Sequence, residues 1–165
     1  MDLTEKYEAL LPQFKGLISD ETNIVGILAN VSALLQSTFA DRFFWTGFYL
    51  KQNDTTLTLG PFQGTVACYS IPFGKGVCGT TWKEGKTLIV DDVEKFPGHI
   101  ACSSLSRSEI VVPLYDSKHN FYGVLDIDST EVGTFNEVDK KYLEQMMEIL
   151  MIEIEYLLYE VTKRV

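Results

Sequence analysis

A chain of 165 residues, 45% hydrophobic and 22% charged, has the composition of a folded protein and the length to bury a substantial core. A formal net charge of −9 with no run of Lys or Arg excludes a nucleic-acid face, because phosphate binding needs basic side chains. Its apolar runs are too short for a membrane span, and Met1-Asp2-Leu3-Thr4-Glu5-Lys6 has no basic segment ahead of an apolar one, so a cytoplasmic protein is expected.

Leu3 to Ile18 reads as helical but divided, with Pro12 opening a second short helix, since proline fits a first turn and not an interior. Ser19 or Asp20 is the expected cap of the next helix. Its stripe of Ile24, Ile27, Leu28, Val31, Leu34, Leu35 and Phe39 recurs at helical spacing. Phe43 to Leu50 is aromatic-rich and strand-like, and Gln52-Asn53-Asp54 turns it into a hairpin with Thr56 to Leu59. A further strand is expected from Thr65 to Ile71, then a short helix from the Gly74–Gly79 segment through Trp82, closed by Gly85, and a short strand from Thr87 to Val90. Asp91 to Leu105 is a long irregular excursion, and such loops are where function concentrates. Two strands, 110–115 and 121–128, follow around a polar turn. Thr134-Phe135-Asn136-Glu137 reads as a capping box before a last helix. That helix carries apolar residues from Val138 to Val161, longer than a small sheet needs, and its spare face offers a surface for a second copy. No repeat or linker interrupts the chain, so 1–165 is expected to be one domain. The element order predicts an α+β architecture: a mostly antiparallel central sheet, N- and C-terminal helices on one face, and the 91–105 loop on the other.

The chemistry-bearing residues cluster in the middle third. Cys68, Cys78 and Cys102 lie in glycine-rich or small-residue surroundings, whereas thiols used as core filler scatter along buried faces. An odd count in a reducing compartment argues against a structural disulfide framework. For Cys102 the bland reading is a buried small residue. Against it stand the Pro97-Gly98 turn, His99 and Arg107, since positive neighbours lower a thiol pKa. Cys68, Cys78, Cys102 and His99 lack the close C-x₂-C pairing of structural zinc sites, so no metal is expected. Gly74-x-Gly76-x-x-Gly79 matches the dinucleotide fingerprint but follows antiparallel-looking strands, outside any parallel βαβ unit; a tight backbone approach is the plainer role. The backbone N–H groups opening that helix can still hold a carboxylate. Glu109 begins a strand near the loop, and Asp126 and Asp128 alternate with Leu125 and Ile127, so both point to one sheet face. That face is either solvated or a crowded acidic site in which one carboxyl keeps its proton at neutral pH. Trp45, Gly47 and Tyr49 share one face of their strand and Phe44, Thr46 and Phe48 the other; one set is core and the other free to line a pocket.

Five fragments taken in order carry a resemblance: Gly60-Pro61-Phe62-Gln63-Gly64 with Ala67-Cys68, Gly74 to Gly79, Phe96 to Cys102, Ser106 to Pro113, and Gly123 to Ser129. Together they resemble the free methionine-(R)-sulfoxide reductases, enzymes of the GAF fold, over nearly the whole chain. The resemblance implies a catalytic Cys102, a main resolving Cys68 and an assisting Cys78. It also implies that Glu109, Asp126 and Asp128 bind and protonate free methionine-(R)-sulfoxide, with Trp45 and Tyr49 near its methyl end. It implies no cofactor, and thioredoxin as the reductant. Ser103 departs from the aspartate expected after the catalytic cysteine. Two rival readings use the same residues differently: a stand-alone GAF sensor without catalysis, and a thiol peroxidase acting through Cys102.

Overall fold

A computed structural model describes residues 1–164. Helix α1 (Leu3–Ile18) runs unbroken through Pro12, against the expectation of a division there. Pro12 lies on the exposed face, where water can solvate the carbonyl it leaves unpaired, while Tyr7, Leu10, Phe14 and Ile18 anchor the opposite face in the core. Helix α2 (Ile24–Thr38) is capped by Asn23, whose side chain accepts from the Gly26 N–H, rather than by Ser19 or Asp20.

The strands are β1 (Trp45–Lys51), β2 (Thr56–Gln63), β3 (Ser70–Pro72), β4 (Leu88–Val90), β5 (Ser108–Tyr115) and β6 (Phe121–Ser129). They form one antiparallel sheet in the order β3-β2-β1-β6-β5-β4. The strand expected over 65–71 shrinks to its last residues. The carbonyls of Thr65 and Cys68 accept instead from Trp45 Nε1 and Tyr49 Oη, both at 3.0 Å, so this segment is a loop pinned by aromatic side chains. Helix α3 (Gly76–Glu84) ends at Gly85 in the left-handed conformation, and the 91–105 excursion contains a single 3₁₀ turn, Val93–Lys95. Helix α4 (Glu137–Lys163) is opened by Asn136, which caps Val138 and Asp139 while the Asp139 carboxylate accepts from the Asn136 N–H. Thr134, expected in that role, spends its hydroxyl on Ser129 at 2.7 Å.

Strand alternation divides the apolar residues between two faces. On one side Phe48, Ile110, Val112, Leu125 and Ile127 pack under α1, α2 and α4 as the main core. On the other, Trp45, Tyr49, Val111 and Val124 meet Val77 and Cys78 of α3 in a smaller cluster. That second face, lacking long helices, leaves room for loops to close over it.

Candidate active site

Register brings the acidic residues together. Trp45 of β1 and Glu109 of β5 both lie opposite Asp128 of β6, and Gly47 and Val111 lie opposite Asp126. Residues two apart share a face, so Glu109, Asp126 and Asp128 form one acidic patch on the α3 side. Gly47 keeps the patch open, because a Cβ there would strike Phe62 and Trp45. Trp45 stacks between Tyr49 and Phe62, with ring centroids 5.9 and 5.1 Å away, and forms an apolar wall beside the carboxylates.

Helix α3 delivers its N-terminus to this patch through the three glycines. Gly74 and Gly76 adopt positive φ (74° and 61°), and a Cβ on Gly79 would collide with the Pro72 carbonyl. The fingerprint-like spacing therefore serves a tight turn and a close packing contact, as expected. Lys75 provides no side-chain cap, and Gly76, Val77 and Cys78 line the cavity. The loops at 65–68 and 99–106 complete the lining around a narrow cavity of about 50 Å³. Cys68 and Cys102 meet across its mouth in a disulfide, with Cα atoms 5.4 Å apart.

Burial sets the electrostatics. Glu109 and Asp126 are 5% and 6% exposed, and loss of water raises the pKa of both. Glu109 is pushed well up, by desolvation first and then by the Asp126 and Asp128 charges. Asp128 is also well raised, by desolvation and then by Asp126. The neighbouring Glu109 and Cys78 groups work in the other direction on Asp126, favouring its charged form. Three carboxyls in one dry patch do not all ionise, and Glu109 is the natural holder of a proton. Cys78 is buried beside it, with Sγ 4.0 Å from Glu109 Oε1, and burial together with the Asp126 charge keeps it a neutral thiol. His99 reaches to 4.0 Å from Glu109 Oε2, and burial lowers its pKa, which favours neutral imidazole.

Residues 21–155 match the family described as GAF domain. Among curated proteins, the chain is 57% identical over 146 residues to GAF domain-containing protein A of Dictyostelium discoideum, covering 88% of this chain and 90% of that protein. It is 48% identical over 147 residues to the free methionine-R-sulfoxide reductase of Escherichia coli, covering 89% and 87%. Among solved structures, the free methionine-R-sulfoxide reductase of Neisseria meningitidis in complex with its substrate superposes with a TM-score of 0.89 at 47% identity, covering 94% of this chain and 92% of that one. The chain belongs to the free methionine-R-sulfoxide reductase family.

Cys68, Cys78, Cys102, Glu109, Asp126, Asp128, Trp45 and Tyr49, the residues that the resemblance to this reductase family singled out, all line the one cavity or, for Cys68, close its mouth. Ser103, where the reductase pattern led us to expect aspartate, also lines it. Three expectations fail. Arg107, read as a positive neighbour of Cys102, turns away and lies 4.0 Å from Glu94, because its own N–H is drawn to the Ser129 carbonyl at the start of β5. His99 is present but held neutral, so it lends Cys102 no positive charge. Phe44, assigned to the opposite face from Trp45, lines the cavity. It precedes β1, so strand alternation does not govern it. Ile100 and Ser106 also contribute without having been singled out, although both lie within fragments that carry the family resemblance.

Proposed function

We propose that this protein reduces free L-methionine-(R)-S-oxide to L-methionine through Cys102. The observation that carries the reading is a Cys68–Cys102 disulfide at the mouth of a cavity lined by Glu109, Asp126 and Asp128, the first two of them buried. In the reduced form the Cys102 thiolate attacks the sulfoxide sulfur as Glu109 gives its proton to the sulfoxide oxygen. General acid catalysis of this kind contributes roughly 10²–10⁴-fold. The hydroxyl then passes from the methionine sulfur to the Cys102 sulfur, breaking both the S–O bond and the newly formed S–S bond, so that methionine leaves and Cys102 carries the oxygen as a sulfenic acid. The Cys68 thiol then condenses with it, releasing water and forming the disulfide found here, with Cys78 as an assisting thiol. Asp126 and Asp128 pair with the substrate ammonium, the open first turn of α3 faces its carboxylate, and Trp45 and Tyr49 hold its methyl end. Recognition of both charged ends favours the free amino acid over methionine sulfoxide within a peptide.

Thioredoxin, in a cytoplasmic setting, restores the dithiol by exchange. Exposed Tyr69 and Leu105, each close in sequence to one of the two cysteines, support contact with a protein reductant. A second copy of the chain is expected to pair along α4, where Ile152, Tyr156, Leu158 and Tyr159 are exposed; light scattering of a monomer in solution would remove that part.

The test is NADPH consumption with thioredoxin and thioredoxin reductase. Turnover of the (R) epimer alone, abolished in Cys102→Ser, is expected. Absence of turnover with either epimer would leave ligand sensing in its place.

A further inference from the structure

With Cys68 and Cys102 joined, Cys78 is left as a free thiol, 3% exposed and pointed at the acidic wall. One donor atom each from Cys78, Glu109 and Asp126 lies within 4.8 Å of the other two. A separate observation points to a ligand there. Asp126 Oδ1 is buried with no hydrogen-bond partner, although Asp126 is only 6% exposed. A buried carboxylate oxygen left unpaired is costly, and a cation is the group that satisfies it most completely. A cavity of about 50 Å³ is ample for one ion.

We propose that Cys78, Glu109 and Asp126 form a binding site for a zinc-class divalent cation that competes with the amino-acid substrate. The donor chemistry selects the metal. A thiolate beside two carboxylates suits Zn²⁺ or Co²⁺, whereas Mg²⁺ and Ca²⁺ demand an all-oxygen shell. It differs from the Cys₃His set considered from sequence, because Cys68 and Cys102 are occupied with each other. Binding forms metal–sulfur and metal–oxygen bonds and moves no electrons. The Cys78 thiol proton and the Glu109 carboxyl proton leave to solvent. The bound ion thereby removes the proton donor and fills the acidic end of the cavity. The binding itself stands independently of the reductase reading; only the competition rests on it.

The disulfide form makes the test specific, since Cys78 is the one cysteine able to give a thiolate ligand. Titration with Co²⁺ in the absence of reductant is expected to give a saturable near-ultraviolet thiolate-to-cobalt band at one equivalent. Zn²⁺ should displace it and Mg²⁺ should not. Cys78→Ser should abolish the band, and the nearly isosteric Asp126→Asn should weaken Zn²⁺ binding at least about tenfold, with circular dichroism confirming the fold of each. If either variant fails to fold, Glu109→Gln takes its place with the same expected weakening. In single turnover by pre-reduced enzyme freed of external thiol, Zn²⁺ should raise the sulfoxide concentration giving half-maximal rate. Absence of the band, its survival in Cys78→Ser, or unchanged affinity in folded Asp126→Asn would overturn the site. The expected band in a protein inactive on every sulfoxide would keep the site and discard the reductase reading.

Discussion

Glu109 has two effects that pull in opposite directions, and one substitution separates them. As the proposed proton donor it would be needed for turnover; as a buried acid with a raised pKa it costs stability at neutral pH. Below the ordinary glutamate pKa of 4.5 it is protonated in folded and unfolded chains alike, and no penalty exists. As pH rises from there towards the raised folded value, the unfolded chain sheds its proton first, so stability falls. Asp126 and Asp128, also raised, slope the same way. Glu109→Gln should therefore lower kcat by roughly 10²–10⁴-fold. In urea unfolding of the disulfide form it should also raise the midpoint at pH 8 more than at pH 5. A substitution that lowers both midpoints equally would mean that Glu109 acts as a packing group and not as a buried acid.

At the scale of elements, a clasp far from the cavity joins α1, the turn after α2 and the start of α4. Arg42 Nη1 and Nη2 donate to the two oxygens of Asp139 at 2.8 Å, Tyr7 Oη donates to the same carboxylate at 2.6 Å, and Arg42 also donates to the Thr134 carbonyl. Asp139 is fully buried, so Arg42→Met strands a charge, which costs about 3–5 kcal/mol. Arg42→Met combined with Asp139→Asn should lose less than Arg42→Met alone, and turnover per folded molecule should be unchanged in both. Unfolding midpoints together with active-site titration read this out. A sum of independent losses would show that the two side chains are not coupled. No sequence pattern announces this clasp, because its partners are 97 residues apart and each alone reads as a solvated charge. The acidic patch was legible for the opposite reason. Period-two alternation in β6 fixes the face of Asp126 and Asp128, and the start of β5 after the long loop places Glu109 beside them. Phe44 and Arg107 were misread where the chain leaves regular structure and neighbours in sequence part company in space. Pro12 was misread because an exposed position and a well-anchored opposite face let a helix tolerate it. The roles of the cysteines came from resemblance; spacing alone does not say which thiol attacks.

For the molecule as a whole, the disulfide must be reachable by its reductant while the acidic wall stays dry. The fold meets both demands by putting the carboxyls at the sheet and the disulfide at the loop rim. Tyr69 and Leu105, 86% and 57% exposed, flank that rim in sequence, one beside Cys68 and the other three residues after Cys102. Large apolar groups held out in water beside a reactive bond are suited to a protein partner, whereas a small thiol needs no such collar. Replacing Tyr69 and Leu105 with serine removes contacts of the size that contribute more than about 1 kcal/mol each at an interface. The double variant should then raise the KM for thioredoxin by about tenfold or more. Its maximal rate with dithiothreitol should match that of the unaltered protein, because neither residue lines the cavity. Loss of rate with both reductants would relocate the defect to the loops that close the cavity. An unchanged KM for thioredoxin would mean that the reductant approaches from another side of the disulfide.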